Sequence, residues 1–169
     1  MALEPINFFI IEQTLRILPR WLVRALVRPK EVARHVDIDL RRINPIDITF
    51  GTDIPRISIY FRISNMSPFN LILDRLLIEL WVGQPTFRRA ILERYDVPKR
   101  SSREDVYFSE QLTIPQQEQI RKHVNGQLIS EPITIYVKAY FESKVGFIYV
   151  EKILEHRDVP CKGKGRAST

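Results

Sequence analysis

From about Val36 onward the apolar residues of this chain fall on alternate positions, and that period admits β-strands and little else. The cleanest run is Ile57, Ile59, Phe61 and Ile63, separated by Ser58, Tyr60, Arg62 and Ser64. Such a pattern has one face for a core and one for water. The same reading predicts strands over 36–41 and over Ile46–Phe50, with a turn at Asn44-Pro45 and a second turn at 51–55. Asn65-Met66-Ser67-Pro68-Phe69-Asn70 breaks the next run. A long strand then spans Leu71 to Val82, in which Leu76, Ile78, Leu80 and Val82 share one face and Glu79 marks the other.

Beyond Gly83-Gln84-Pro85 the spacing predicts a charged strand over Phe87–Tyr95, a polar loop over 97–105 and a strand over Val106–Ile114. Pro115 suits the first turn of a short helix over 116–124, with Lys122 and His123 near its end and Gly126 just past it. Ile133–Glu142 and Phe147–Leu154 form a hairpin across Ser143-Lys144-Val145-Gly146. In its first arm Ile133, Ile135, Val137, Ala139 and Phe141 alternate with Thr134, Tyr136, Lys138 and Tyr140. Six to eight short strands with one internal helix predict a mainly β fold, an antiparallel sandwich, over 36–160.

The first 35 residues follow a different period. Arg16, Arg20, Arg24 and Arg28 recur every fourth position, while Ile11, Leu15, Leu18, Trp21, Leu22, Ala25 and Leu26 gather opposite. Phe9, Val23 and Val27 depart from this separation, falling on or near the arginine side. Pro19 divides the segment into predicted helices near 4–18 and 19–28. Arginine and tryptophan at the border of an apolar stripe suit a bilayer interface, where guanidinium reaches phosphate and indole sits at headgroup depth. Two other readings use the same residues: a terminal helix packed on its own domain, and a helix docked in a partner protein's groove. The longest uncharged run, Pro5 to Ile11, is far below the roughly 20 apolar residues a span needs. The order of charge and apolar run does not fit a cleavable secretory signal.

Charge sharpens the division. Of a net +6 on 169 residues, positions 1–36 hold six basic groups against three acids, and 161–169 add Lys162, Lys164 and Arg166 with no acid. The remainder is close to neutral, so the expectation is a neutral body between a basic leader (1–35) and a basic flexible tail (161–169). Nucleic acid is not expected as a partner, because the body lacks a basic face interleaved with aromatics. The sole cysteine, Cys161, has no internal disulfide partner and is expected as a solvated tail thiol in a reducing, cytoplasmic setting.

No chemistry-bearing motif emerges. His35, His123 and His156 lack metal-ligand spacing, and the six glycines form neither a dinucleotide fingerprint nor a phosphate loop. Asp37 and Asp39 share a strand face and read as a solvent row, with Asp47 and Asp53 nearby. Neither a metal, a cofactor nor a catalytic residue is assigned. Trp81, on the polar register of its strand, is expected beneath the N-terminal helices.

The strand 57–64 entering Asn65-Met66-Ser67-Pro68-Phe69-Asn70, the long strand 71–83, Leu112-Thr113-Ile114-Pro115 before a short helix, and the hairpin 133–154 around Gly146 resemble the water stress and hypersensitive response domain. This is the globular branch of the late embryogenesis abundant proteins, and the resemblance runs from about Val36 to Cys161. It implies an immunoglobulin- or fibronectin-III-like β-sandwich, no enzymatic activity, a role in desiccation or stress tolerance, and often an N-terminal membrane anchor. The sequence therefore leads to a non-enzymatic protein attached peripherally to an anionic membrane through Arg16, Arg20, Trp21, Leu22, Arg24, Leu26 and Arg28. The alternative is an adaptor or subunit whose N-terminal helices dock into a partner protein.

Overall fold

The computed structural model describes residues 17–50 and 54–163. Helices α1 (Arg20–Leu26) and α2 (Pro29–Ala33) lead into strands β1 (Val36–Leu40), β2 (Ile46–Thr49), β3 (Arg56–Asn65), β4 (Leu71–Val82), β5 (Gln84–Ile91), β6 (Tyr95–Val97) and β7 (Ser101–Gln111). Helix α3 (Ile114–Arg121) follows, then β8 (Val124–Asn125), β9 (Leu128–Ile129), β10 (Ile133–Ser143), β11 (Gly146–His156) and β12 (Val159–Lys162). The protein is mainly β, in two sheets. One has the order β1-β3-β2-β12-β9-β8, with β7 on the other side of β3; the other runs β11-β10-β4-β5, with β6 also on β4.

The alternating runs explain both sheets. Ile57, Ile59, Phe61 and Ile63 of β3 and Ile133, Ile135, Val137, Ala139 and Phe141 of β10 are fully buried and belong to one apolar cluster, so the sheets share a core. Burying one such side chain stabilises the fold by roughly 1.5–3 kcal/mol. Strand β3 is central: β1 pairs with its C-terminal half and β2 with its N-terminal half, while β7 runs along the opposite side. The corner between β1 and β2 uses Asn44 at φ 48°, a left-handed position that Asn tolerates well, ahead of Pro45.

Strand β4 carries two apolar phases. Leu71 and Leu73 are odd-numbered, whereas Leu76, Ile78, Leu80 and Val82 are even-numbered, yet all six are buried. The register against β10 jumps from Leu73↔Phe141 to Arg75↔Tyr140, which leaves Asp74 as an extra residue. A bulge at this point shifts the phase by one, so both halves face inward.

Several boundaries differ from the sequence reading. The predicted loop over 97–105 is in part strand, because Ser101, Ser102 and Arg103 pair with the end of β3. The charged strand starts and ends earlier, at Gln84–Ile91, and α3 occupies Ile114–Arg121. Twelve strands are present among the described residues, more than expected, since short pairs such as β8 and β9 carry too few residues for a periodic signal. The body also extends past residue 160. Cys161 and Lys162 of β12 pair in parallel with Ile48 and Thr49, placing Cys161 in the core rather than in a solvated tail. No helix among the described residues is long and apolar enough to cross a membrane.

A polar side chain is fully buried at one end of this apolar body. Asn65, at the end of β3, is fully buried, and its amide nitrogen donates towards the carbonyls of Phe69 (2.8 Å), Val97 (3.0 Å) and Pro98 (3.1 Å). Its oxygen accepts from Ser67 N–H at 3.1 Å and Ser67 Oγ–H at 2.6 Å. The β3–β4 turn and the chain leaving β6 are thereby fastened to each other. Replacing Asn65 by Ala removes this hub and leaves several buried backbone groups unsatisfied. We expect Asn65→Ala to lose about 2–4 kcal/mol in urea unfolding, and Ser64→Ala, on the outward face of the same strand, to lose less than about 1 kcal/mol.

Candidate functional site

A cleft of about 740 Å³ lies at the end of the sheets where Asn65 lies. Its wall on one side is the β3–β4 turn with Pro68, Phe69 and Asn70, followed by Asp96, Pro98 and Lys99 after β6. The β10–β11 hairpin supplies Glu142, Ser143, Lys144, Gly146 and Phe147, and α1 closes the remaining side with Arg20 and Arg24. Besides the Asn65 hub, Lys99 N–H donates to Asn70 Oδ1 at 3.1 Å and Ser101 Oγ–H to Pro98 O at 2.7 Å. The loops are therefore held by hydrogen bonds rather than by side-chain packing alone.

Helix α1 begins directly after Pro19, whose carbonyl accepts from Leu22 and Val23, and ends where Val27 turns extended ahead of Arg28 and Pro29. Val23 is its fully buried residue, with Leu18 and Val27 packed beside it. Val23, which departs from the apolar stripe, thus seats α1 on the body together with Leu18 from the stripe itself. Arg20 and Arg24 consequently flank the seat and border the cleft. Leu22 is half-buried, whereas Trp21 is 69% and Leu26 63% exposed; Ile17, just ahead of α1, is 86% exposed. Arg28 is exposed at the α1–α2 junction. Arg16, and the predicted helix over 4–18 as far as residue 16, lie outside the described residues. Helix α2 buries Val32 and packs against β11, and Pro29 Cγ and Arg24 Nε pass close to Gly146, whose φ of 119° suits only glycine.

Electrostatically the cleft is cationic on balance. Arg20, Arg24, Lys99 and Lys144 face two carboxylates, Asp96 and Glu142, and Glu142 is already engaged by Arg94 at 2.5 Å. Arg20 and Arg24 have no ion pair or hydrogen-bond partner among the described residues. Phe147, on the rim, is 75% exposed. Its alternation with Tyr149 and Ile153 on the outer face of β11 was available as a signal, since all three share the wet register of the hairpin. Asn70 and Lys99 carried no such signal, because the cleft brings them together through the fold.

Other candidate groups are dispersed. No cluster of three metal-ligating side chains exists among the described residues. Asp37 pairs with Lys152 at 2.6 Å, Asp39 with Arg62 at 3.2 Å and Asp47 with Lys162 at 3.0 Å, as a solvent row of acids would. His123 pairs with Glu131 at 2.6 Å, far in sequence from the other two histidines. Trp81 is not beneath α1 or α2, which lie against the β10–β11 hairpin and β11. Its indole N–H donates to Glu79 at 2.9 Å and its ring packs on Tyr136, centroids 5.7 Å apart, on the outer face of the five-stranded sheet.

No protein-family profile matches the chain, and no curated protein does. Among solved structures it is similar to a protein from Archaeoglobus fulgidus at 16% identity and a TM-score of 0.40, over 72% of this chain and 94% of that one. Red sea bream transglutaminase matches at 14% identity and a TM-score of 0.38, over 77% of this chain but 17% of the enzyme. The alkylpurine DNA glycosylase AlkC of Pseudomonas fluorescens, bound to DNA, matches at 10% identity and a TM-score of 0.35, over 85% of this chain and 42% of that one. Likenesses at this distance carry no functional argument.

Burial also removes Cys161 as a nucleophile. The apolar surroundings push its thiol up to about 11, with Asp47 adding to the shift. The neutral thiol is favoured in the folded state, so its contribution is complete below the unfolded value near 9 and declines as pH rises from there towards about 11. We expect wild-type stability to fall across this window by roughly 2–3 kcal/mol more than that of Cys161→Val, measured by urea unfolding at pH 8 and pH 11. Native protein at pH 8 should react with a disulfide reagent only after denaturant is added.

Proposed function

We propose that this protein is a non-catalytic, immunoglobulin- or fibronectin-like β-sandwich held at an anionic membrane surface by its N-terminal segment. The resemblance to the stress-response domain supplies its physiological setting, protection or scaffolding during water stress. The attachment reading rests on one observation: Ile17, Trp21 and Leu26 stand exposed beside Arg20, Arg24 and Arg28 in a segment seated on the body by Val23. In α1, Val23 sits roughly opposite Trp21, so the indole is aimed away from the protein.

The magnitudes are adequate. Each cationic side chain near an anionic leaflet contributes about 1 kcal/mol, so the three described arginines supply roughly 3 kcal/mol. Insertion of Trp21 and Leu26 to headgroup depth adds the apolar share. Placed this way, the segment lies on the interface, and the sheets remain in water.

Co-sedimentation with vesicles tests this reading on the full chain. We expect binding to vesicles containing anionic lipid, little to purely zwitterionic ones, and at least a tenfold loss in the Trp21→Ala/Leu26→Ala double variant. In Trp81→Phe, where Trp21 is the sole indole, emission should shift to the blue on adding anionic vesicles. Equal sedimentation with both vesicle types, or an unshifted Trp21 emission, overturns attachment through this segment.

A further inference from the structure

We propose that the cleft between α1, the β3–β4 turn and the β10–β11 hairpin is a stoichiometric binding site for a phosphate monoester carried on an apolar stem. This inference rests on the membrane reading for where such a ligand is met, and it adds what that reading lacks: one defined headgroup in one defined place.

The chemistry comes from the lining. Arg20 and Arg24 are one helical turn apart on the same side of α1 and border the cleft without any partner among the described residues. Side chains at i and i+4 are neighbours, so two planar guanidinium forks converge on one region. A phosphate monoester presents three terminal oxygens and up to two negative charges, which two such forks can engage together, whereas a carboxylate fills only one. Across the cleft, Asn70 spends its side-chain oxygen on Lys99 N–H, which leaves the amide N–H groups as donors. Ser143 Oγ is fixed by Gly146 O at 3.2 Å and Val145 N–H at 3.1 Å.

The stem follows from the rest of the lining. Pro68 and Ile72 are half-buried in the wall, and Phe147 stands exposed at the mouth beside the arginines. A free inorganic anion leaves those surfaces wet, but an acyl-glycerol stem covers them. The volume, about 740 Å³, falls within the roughly 300–1,000 Å³ range of small-ligand sites and exceeds what phosphate alone occupies. The walls are in place before the ligand arrives, because Asn65 ties the turn to the β6–β7 link. A pre-formed site loses little to loop ordering on binding.

The test uses soluble ligands, so that it does not depend on vesicles. Titration calorimetry on the full chain is carried out with dioctanoyl phosphatidic acid below its micellar concentration, with dioctanoyl phosphatidylcholine, and with inorganic phosphate. We expect saturable one-to-one binding of the phosphatidic acid, at least tenfold weaker binding of inorganic phosphate and none of the phosphatidylcholine. Arg20→Gln/Arg24→Gln should weaken the phosphatidic acid by about tenfold or more, and Arg88→Gln, exposed on β5 and outside the lining, should leave it within about twofold. Phe147→Ser should weaken phosphatidic acid and leave inorganic phosphate unchanged.

Absence of saturable binding, or equal loss in the Arg88→Gln and double variants, overturns the site. Inorganic phosphate binding as tightly as phosphatidic acid overturns the stem. Either result leaves vesicle attachment through Trp21 and Leu26 standing, and loss of vesicle attachment with the soluble ligand still bound overturns only the anchor.

Discussion

The carboxamide of Asn65 is the constraint on which the loops at the cleft end of this protein depend. At the end of β3 the alternation that buries Ile57, Ile59, Phe61 and Ile63 points one more side chain into the core, and at that position the chain places an amide instead of a hydrocarbon. Two donor hydrogens and two acceptor lone pairs then meet carbonyls of Phe69, Val97 and Pro98 and the N–H and hydroxyl of Ser67. Ser67 and Phe69 lie in the β3–β4 turn and Pro98 in the link after β6, outside the ladders, and Val97 is the last residue of β6. A buried amide fully satisfied in this way favours a single arrangement of the loops, because any other leaves polar groups unpaired in a medium that penalises them.

Much of the architecture was legible because period two is a geometric statement. From Ile57 to Ile63 in β3 and from Ile133 to Phe141 in β10 the alternate inward residues are apolar and the outward ones polar or aromatic, and the two strands lie where that alternation put them, within one or two residues. Legibility failed where the signal is physically absent. Strands of two residues such as β8 carry no period, and the Asp74 bulge appears in the sequence only as two apolar runs out of phase. Cys161 was misplaced for a related reason. The three basic residues after it, Lys162, Lys164 and Arg166, look like a tail, but a strand end needs only one inward side chain to dock.

The leader was half legible. The break at Pro19 holds for the described part, and Trp21 and Leu26 are exposed. The seat was the part that resisted. A seven-residue helix has room for one anchor in a core, and β-branched Val23, flanked by guanidiniums, takes it while the larger leucines stay at the periphery. Val23 is committed to the body, and Arg20 and Arg24 on either side of it border a cleft whose walls come from residues far apart in sequence, such as Asn70, Lys99 and Phe147. No linear pattern announces such a meeting.

The parallel pairing of β12 with β2 has a kinetic consequence. Cys161 and Lys162 meet Ile48 and Thr49 from the opposite end of the described chain, so this closure spans a very long loop and belongs among the last contacts to form. Until translation has released residue 162, β2 offers its backbone amides and carbonyls to whatever strand comes near. A nascent chain stalled short of that point exposes a templating edge next to an apolar core, the state in which two copies are most prone to join. The mature fold removes that hazard with its own last strand.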